Sequence, residues 1–278
     1  MKIAISAEST VDLPKELLDE YGVHTIPFGI NFKDKLVEDG FGISKEIFKF
    51  VEDTKVLPKT SAVSPEQFRE YFENLKKEYD AIIHISLSSQ LSCAYNNACL
   101  VAREMENVYV IDSQNLSTGI ALLVIHARNL LDKGASILEI VDSVKERAGR
   151  VRSSFVLDKL NYMYKGGRCN AVTLLGANLL KIKPQIIVEN GRMLVGKKYR
   201  GALNKVMDTY CEDLLSQYPN ADKELVFITH SSPMDDIENM LQEKLETFGF
   251  KTIYNTTAGG TICSHCGPNC LGVLFVEK

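Results

Sequence analysis

"DAIIHISLSSQLSCAYNNACLVAREMENVYVID", residues 80–112, contains the unit that decides the fold. An unbroken apolar run, "AIIHI", passes into a polar loop, then a helical pattern, then a second run, "VYVID". Apolar runs of this length suit strands covered on both faces, and a helix between two of them makes a parallel crossover. The same alternation extends outward. "KIAIS" reads as a strand, followed by Asp12 as N-cap and Pro14 in the first turn of a helix, "KELLDEYG", that stops at Gly22. "VHTIPFGINF" reads as one extended run and "ISKEIFKFVED" as a short amphipathic helix from about Ser44. "SPEQFREYFENLKK" opens with Ser64 and Gln67 at capping-box spacing and Pro65 in the first helical position. After residue 112, "TGIALLVIHARNLL" reads as a buried helix. His126 and Arg128 interrupt it, and it falls short of the ~18 apolar residues that span a bilayer. Strand–helix alternation of this kind predicts a parallel sheet with helices on both faces.

The second half has a different pattern. "QIIVENGRMLV" sets Asn190-Gly191 between two apolar runs, which predicts a hairpin. The helix "LNKVMDTYCEDLLSQY", the strand "ELVFITHS", the helix "DDIENMLQEKLETFGF" and the strands "KTIYNTT" and "CLGVLFVE" follow. The expectation is an α/β protein of two domains: residues 1–152 as a parallel α/β domain and residues 153–278 as a mixed α/β domain. A length of 278 residues agrees with two domains.

Apolar content of 45% with 24% charged residues describes ordinary globular material. The start, "MKIAISAEST", has no apolar h-region, so a cytoplasmic location is expected, with the seven cysteines as thiols. The net charge of −4 is uneven: residues 145–205 hold 14 Lys and Arg against 3 acids, a local +11, which leaves 18 against 33, or −15, elsewhere. Such a segment can be a docking face for an anionic partner, with Arg168, Lys197, Lys198 and Arg200 as candidates, or simply a solvated surface.

"TICSHCGPNC", residues 261–270, concentrates Cys263, His265, Cys266 and Cys270. A closed zinc site needs four ligands, commonly from two paired knuckles, and only one, Cys263-x-x-Cys266, is present. The order C-x2-C-x3-C matches the end of a bacterial ferredoxin run, which also requires a cysteine and a proline where Gly260 and Leu271 stand. No metal and no cofactor are therefore expected. The chain has no G-x-S-x-G, H-E-x-x-H or G-x-x-x-x-G-K-[ST] signature and no dinucleotide fingerprint. His84 and His126 lie within apolar runs and read as core residues.

Hydroxyl-rich loops do recur. "KTSAVS" carries Thr60, Ser61 and Ser64, and "SLSSQLS" carries Ser86, Ser88, Ser89 and Ser92, each loop before a helix. Helix N-termini offer free N–H groups and partial positive charge, and ligands of open α/β sheets bind beyond the strands' carboxyl ends, so these loops suit a carboxylate or phosphate. Plain N-capping explains Ser64 and Ser92 equally well.

"KTSAVSPEQF", "SLSSQLSCAYNNA", "DSQNLSTG", "LDKLNYMYKGGR", "LLKIKPQIIVENGRMLVGKKYRG" and "SHCGPNCLGVLF", in this order, resemble the DegV family over essentially the whole chain. The resemblance implies a two-domain α/β binder of a long-chain fatty acid such as palmitate. It further implies a non-enzymatic protein, of a kind that in some members is the acyl-presenting subunit of a fatty acid kinase. It implies a carboxylate held by Thr60 and Ser92, completed by His265, with Ser61, Ser89, Ser264 and Gly267 as supporting positions. Cys266 and Asn269 replace the hydroxyl residue and glycine common in that loop, and Cys93 stands where glycine is usual. The rival readings are a metal-dependent redox enzyme using Cys263, Cys266 and Cys270, and a nucleic-acid binder using the basic segment. The second lacks any RRM, KH or zinc-finger signature.

Overall fold

The computed structural model describes residues 1–40, 42–169 and 182–278. Residues 179–181, which open the motif "LLKIKPQII", therefore lie outside the described residues, and Lys181 of the basic segment is one of them.

The repeated strand–helix unit builds a four-stranded parallel sheet. Its strands are β1 (Ile3–Glu8), β2 (Val23–Ile26), β6 (Ala81–Ser86) and β7 (Val108–Asp112), in the order β2-β1-β6-β7. Every residue of β1 and β6 is buried, as two covered faces require. Helices α3 (Pro65–Lys76) and α5 (Thr118–Asp132) both pack on β6, while α4 (Ala94–Ala102) and α6 (Ile137–Ala148) pack on β7. The capping box expected at α3 is present: Ser64 Oγ accepts the Gln67 N–H at 3.3 Å and Gln67 Oε1 accepts the Ser64 N–H at 2.9 Å.

A second, six-stranded mixed sheet contains β8 (Val151–Val156), β9 (Lys183–Glu189), β10 (Arg192–Tyr199), β11 (Ala221–His230), β12 (Thr252–Thr257) and β13 (Leu271–Glu277), in the order β10-β9-β8-β13-β11-β12. Only the β11–β12 pair is parallel. Asn190 and Gly191, at φ 49° and 77°, make the tight turn between β9 and β10. Alternation along β13 divides the core. Leu271, Val273 and Phe275 pack with helices α8 (Leu203–Gln217) and α9 (Asp235–Phe248), while Leu274 and Val276 join the core around α5. Helix α5 touches β1 and β6 of one sheet and β8, β11 and β13 of the other, which is why nine of its residues are buried. Among the described residues no helix is long and apolar enough to cross a membrane.

Two expectations fail here. "VHTIPFGINF" is not one run: it breaks after β2, and β3 (Gly29–Phe32) enters a separate antiparallel sheet, β4-β3-β5, with β4 (Lys35–Glu38) and β5 (Lys59–Ser61). Pro27 supplies no N–H to carry a ladder forward. Helix α2 (Ser44–Thr54) lies in the chain between β4 and β5. Asp12 is not the cap of α1 (Lys15–Glu20); Pro14 holds that place, without a side-chain cap. Asp12 adopts the left-handed conformation, φ 53°, and is buried because its carboxylate is taken by Ser117 and by the Gly259 N–H.

Candidate functional site

The loops beyond β5 and β6 meet two short helices, α7 (Leu160–Gly166) and α10 (Gly260–Cys266), around a cavity of about 280 Å³. Phe28, Leu87, Leu116, Met163, Met193 and Ile262 give it an apolar wall; Thr60, Ser92, Arg168, Thr261 and His265 bring polar groups to it.

Strand β5 presents Thr60, whose Oγ1 lies 2.9 Å from His265 Nε2 on α10, across 205 residues of sequence. The "KGGR" stretch explains how the imidazole fits. A Cβ at Gly166 would stand 2.5 Å from His265 Nδ1, so only glycine admits the ring. Gly167, at φ 67°, ends α7 by donating its N–H to Met163 O, and Arg168 Nη1 turns back to Gly166 O at 2.9 Å. Gly267, at φ 75°, ends α10 in the same way, with its N–H on Cys263 O at 2.9 Å.

The ring borders the cavity. Withdrawal from bulk water, with the Arg168 guanidinium nearby, pulls the His265 imidazole down to about 4. Near neutral pH it is uncharged and carries one N–H. Ser92 is not the N-cap that its place before a helix suggests: it precedes α4 by two residues, and Cys93 holds the N-cap. Its Oγ accepts the Ala94 N–H at 3.2 Å, which leaves its own O–H free to donate. The polar groups of the cavity are thus three hydroxyls, a neutral imidazole and a guanidinium at the exposed rim.

A smaller apolar pocket of about 30 Å³ shares Leu116, Ile262 and Cys266 with the first and continues to Phe155, Ala258 and Leu274 between the sheets. A polar end with an apolar continuation suits a long amphipathic molecule.

The cysteines belong to this architecture in a different way. Cys263 is a core residue packed with Ile30, Ile47 and Ala258, its thiol on Ala258 O at 3.4 Å. Burial pushes the Cys263 thiol up, and contact with Cys266 together with burial does the same to Cys270. Such protonated thiols are poor metal ligands and poor nucleophiles. Among the described residues no group of three or more His, Cys, Asp or Glu could hold a metal ion.

The other candidate positions scatter. Ser61 is exposed beside Gly29 in the small sheet; Ser89 gives its N–H to Asp112 Oδ1 at 3.3 Å; Ser264 and Gly267 are buried, and none of the four lines the cavity. Lys197 is paired with Asp213 at 2.6 Å, and Lys198 and Arg200 are exposed; these three stand away from the wall, whereas Arg168 is part of it. Sequence reasoning missed that place for Arg168, although the glycine pair before it was a signal of a close turn. His126 bonds Ser143 at 2.8 Å. His84 lies between Ser6 Oγ at 2.8 Å and Glu8 Oε1 at 3.2 Å, an order familiar from hydrolases, but all three are fully buried and none reaches the cavity. Glu8 instead takes the Ser86 hydroxyl at 2.6 Å and the Leu87 N–H at 2.9 Å, which sets the start of the loop ending at Ser92.

Comparison with known proteins finds relatives over the whole chain. A family model described as "Uncharacterised protein, DegV family" matches residues 2–278. A DegV domain-containing protein of Caldanaerobacter subterraneus is 35% identical, covering 100% of this chain and 99% of its own. A protein of Thermotoga maritima named fatty acid-binding protein is 30% identical over 98% of this chain and 96% of its own. A solved structure described as fatty acid binding of a DegV family protein from Thermus thermophilus superposes with a TM-score of 0.92 at 25% identity, covering all of both chains.

Proposed function

This chain belongs to the DegV family, and from that premise we propose that it binds a long-chain fatty acid, such as palmitate, with the carboxylate at Thr60, Ser92 and His265. The observation that carries the reading is the Thr60–His265 contact at the mouth of an apolar cavity that continues between the sheets. The fatty acid bound by the Thermotoga and Thermus relatives supports it. About 14 methylenes at ~0.8 kcal/mol each are worth on the order of 11 kcal/mol gross. Association and ordering costs take back a large part. The tail then supplies most of the affinity, and a few donors suffice for the head group.

The protein's role on this reading is that of a carrier, not an enzyme: Thr60, Ser92 and His265 serve as hydrogen-bond donors to the carboxylate. It presents the carboxylate to a kinase in the cytoplasm and needs no cofactor. Lys197, Lys198 and Arg200 form the docking face for that partner, and Arg168 links the face to the mouth. Reversing Lys197, Lys198 and Arg200 to Glu should leave fatty acid affinity within about twofold in a fluorescence titration, because rim charges act mainly on association with a partner. A loss of tenfold or more would move these residues into the lipid site.

Mass spectrometry of an organic extract of the purified protein tests the main reading. The expected result is a C14–C18 fatty acid in up to one equivalent. Absence of lipid, together with no binding of added palmitate, would overturn it.

A further inference from the structure

Outside the cavity wall, two buried carboxylates close on the turn that starts α10. Asp12 Oδ1 accepts the Gly259 N–H at 2.9 Å, and Oδ2 meets the Ser117 hydroxyl at 2.5 Å. Asp39 Oδ1 accepts the Thr261 N–H at 3.2 Å, and Oδ2 accepts the Ser9 hydroxyl at 2.9 Å. Ser9 Oγ in turn accepts the Phe28 N–H at 3.1 Å, and both Phe28 and Thr261 line the cavity. A Cβ at Gly259 would stand 2.9 Å from Asp12 Oδ1 and 3.4 Å from Asp39 Oδ1, so the two side chains face one another across a single Cα. At Gly260 a Cβ would come within 2.3 Å of Ile43 and 2.4 Å of Ile30. The start of the helix that carries His265 therefore cannot drift sideways. Asp12 and Ser117 both stand at positive φ, 53° and 52°, a costly conformation that persists only where surroundings enforce it.

We propose that Asp12 and Asp39 are positioning residues of the fatty-acid site: together they hold the Gly259–Thr261 turn, and with it His265, and ionisation of Asp12 loosens the helix and weakens binding. Desolvation pushes Asp12 up to about 8, with Asp39 adding to it, and burial raises Asp39 as well. At neutral pH burial keeps the proton on Asp12, whose oxygens meet the Gly259 N–H and the Ser117 hydroxyl. The titratable groups facing it are Asp39, from the loop after β4, and the Cys263 thiol of α10; α5 contributes only the neutral Ser117 hydroxyl. A helix N-terminus favours negative charge, but by less than a tenfold change in acidity, whereas Asp12 moves from 3.8 to about 8, roughly four powers of ten. Burial therefore outweighs the helix terminus, with the Asp39 carboxylate adding to it, and a charge on Asp12 strains the turn that starts the short helix.

The inference rests on the fatty-acid reading for only one of its two readouts. The first is a titration with a monomeric fluorescent fatty acid between pH 6.5 and 9.5. Wild-type affinity should be level to about pH 7.5 and fall roughly tenfold by pH 9.5, the limit for one linked proton being tenfold per pH unit. Asp12→Ala should weaken binding about tenfold at pH 7. Asp12→Asn, which keeps an acceptor and a donor, should recover most of that loss and flatten the profile. The second readout needs no ligand: protection of the Gly259 and Thr261 amides against hydrogen exchange, corrected for base catalysis, should fall above pH 8 in the wild type and persist in Asp12→Asn. Normal behaviour of the amides without any fatty acid binding would remove the lipid reading and leave the clamp. Wild-type protection independent of pH, or an Asp12→Asn variant that follows the wild-type profile, would overturn the clamp.

Discussion

Gly267→Ala should destabilise the protein by roughly 2–6 kcal/mol and lower the melting temperature by several degrees or more. Two separate costs add. The residue holds φ 75° with ψ −178°, a region essentially restricted to glycine, where a side chain costs ~1–3 kcal/mol. A Cβ there would also lie 2.6 Å from Tyr162 Cδ2 and 2.8 Å from Tyr162 Cγ. Tyr162 is buried and edge-on to Phe48, with centroids 6.2 Å apart, so it has little room to retreat, and overpacking adds ~1–3 kcal/mol. Gly134 is the control: it too has positive φ, 80°, but meets nothing within 4 Å, so Gly134→Ala should cost only the conformational part. Thermal unfolding of the two variants makes the comparison. Equal melting temperatures would mean that α10 can shift away from α7, and the close fit of the two helices would lose its role in setting His265.

That fit also marks where sequence reading stops. The parallel sheet was legible because its strands are covered on both faces and show as unbroken apolar runs, and the β9–β10 turn because Asn-Gly tolerates two positive φ values in succession. The small sheet was not, since strands of four, four and three residues carry too little periodicity to separate them from loop. Asp12 was misread for a related reason. Before a proline an aspartate resembles a cap, while the partner that holds it, Gly259, is 247 residues away. Thr60 and His265 are 205 residues apart, and neither local pattern nor charge pairs them; the family motifs named them before their contact was visible. The cysteine-rich loop misleads in the opposite direction. Its density suggests coordination, yet Cys263 faces Ile30, Ile47 and Ala258 as a small apolar side chain would.

Thr60→Val and Ser92→Ala should each weaken fatty acid binding by about 10- to 100-fold, because a hydrogen bond to a charged group contributes roughly 1.5–3 kcal/mol and ~1.4 kcal/mol is tenfold. The two effects have different routes. Thr60 Oγ1 is tied to His265 Nε2 at 2.9 Å, so valine removes one donor and leaves the imidazole without its partner. The ring, held near 4 by its surroundings, stays neutral and loses orientation, not charge. Ser92 has a second task, since its Oγ accepts the Ala94 N–H at 3.2 Å; alanine should therefore also cost ~0.5–1.5 kcal/mol of stability. Combined, the substitutions should cost less than the sum of their separate effects on affinity, because both donors serve one carboxylate. The measurement is a fluorescent fatty acid titration of the folded variants beside their melting curves. Full additivity would place the two hydroxyls on different parts of the ligand. Unchanged affinity with a lowered melting temperature would make Ser92 a support for the start of α4 alone, and the carboxylate would then have to be held by Thr60, His265 and Arg168.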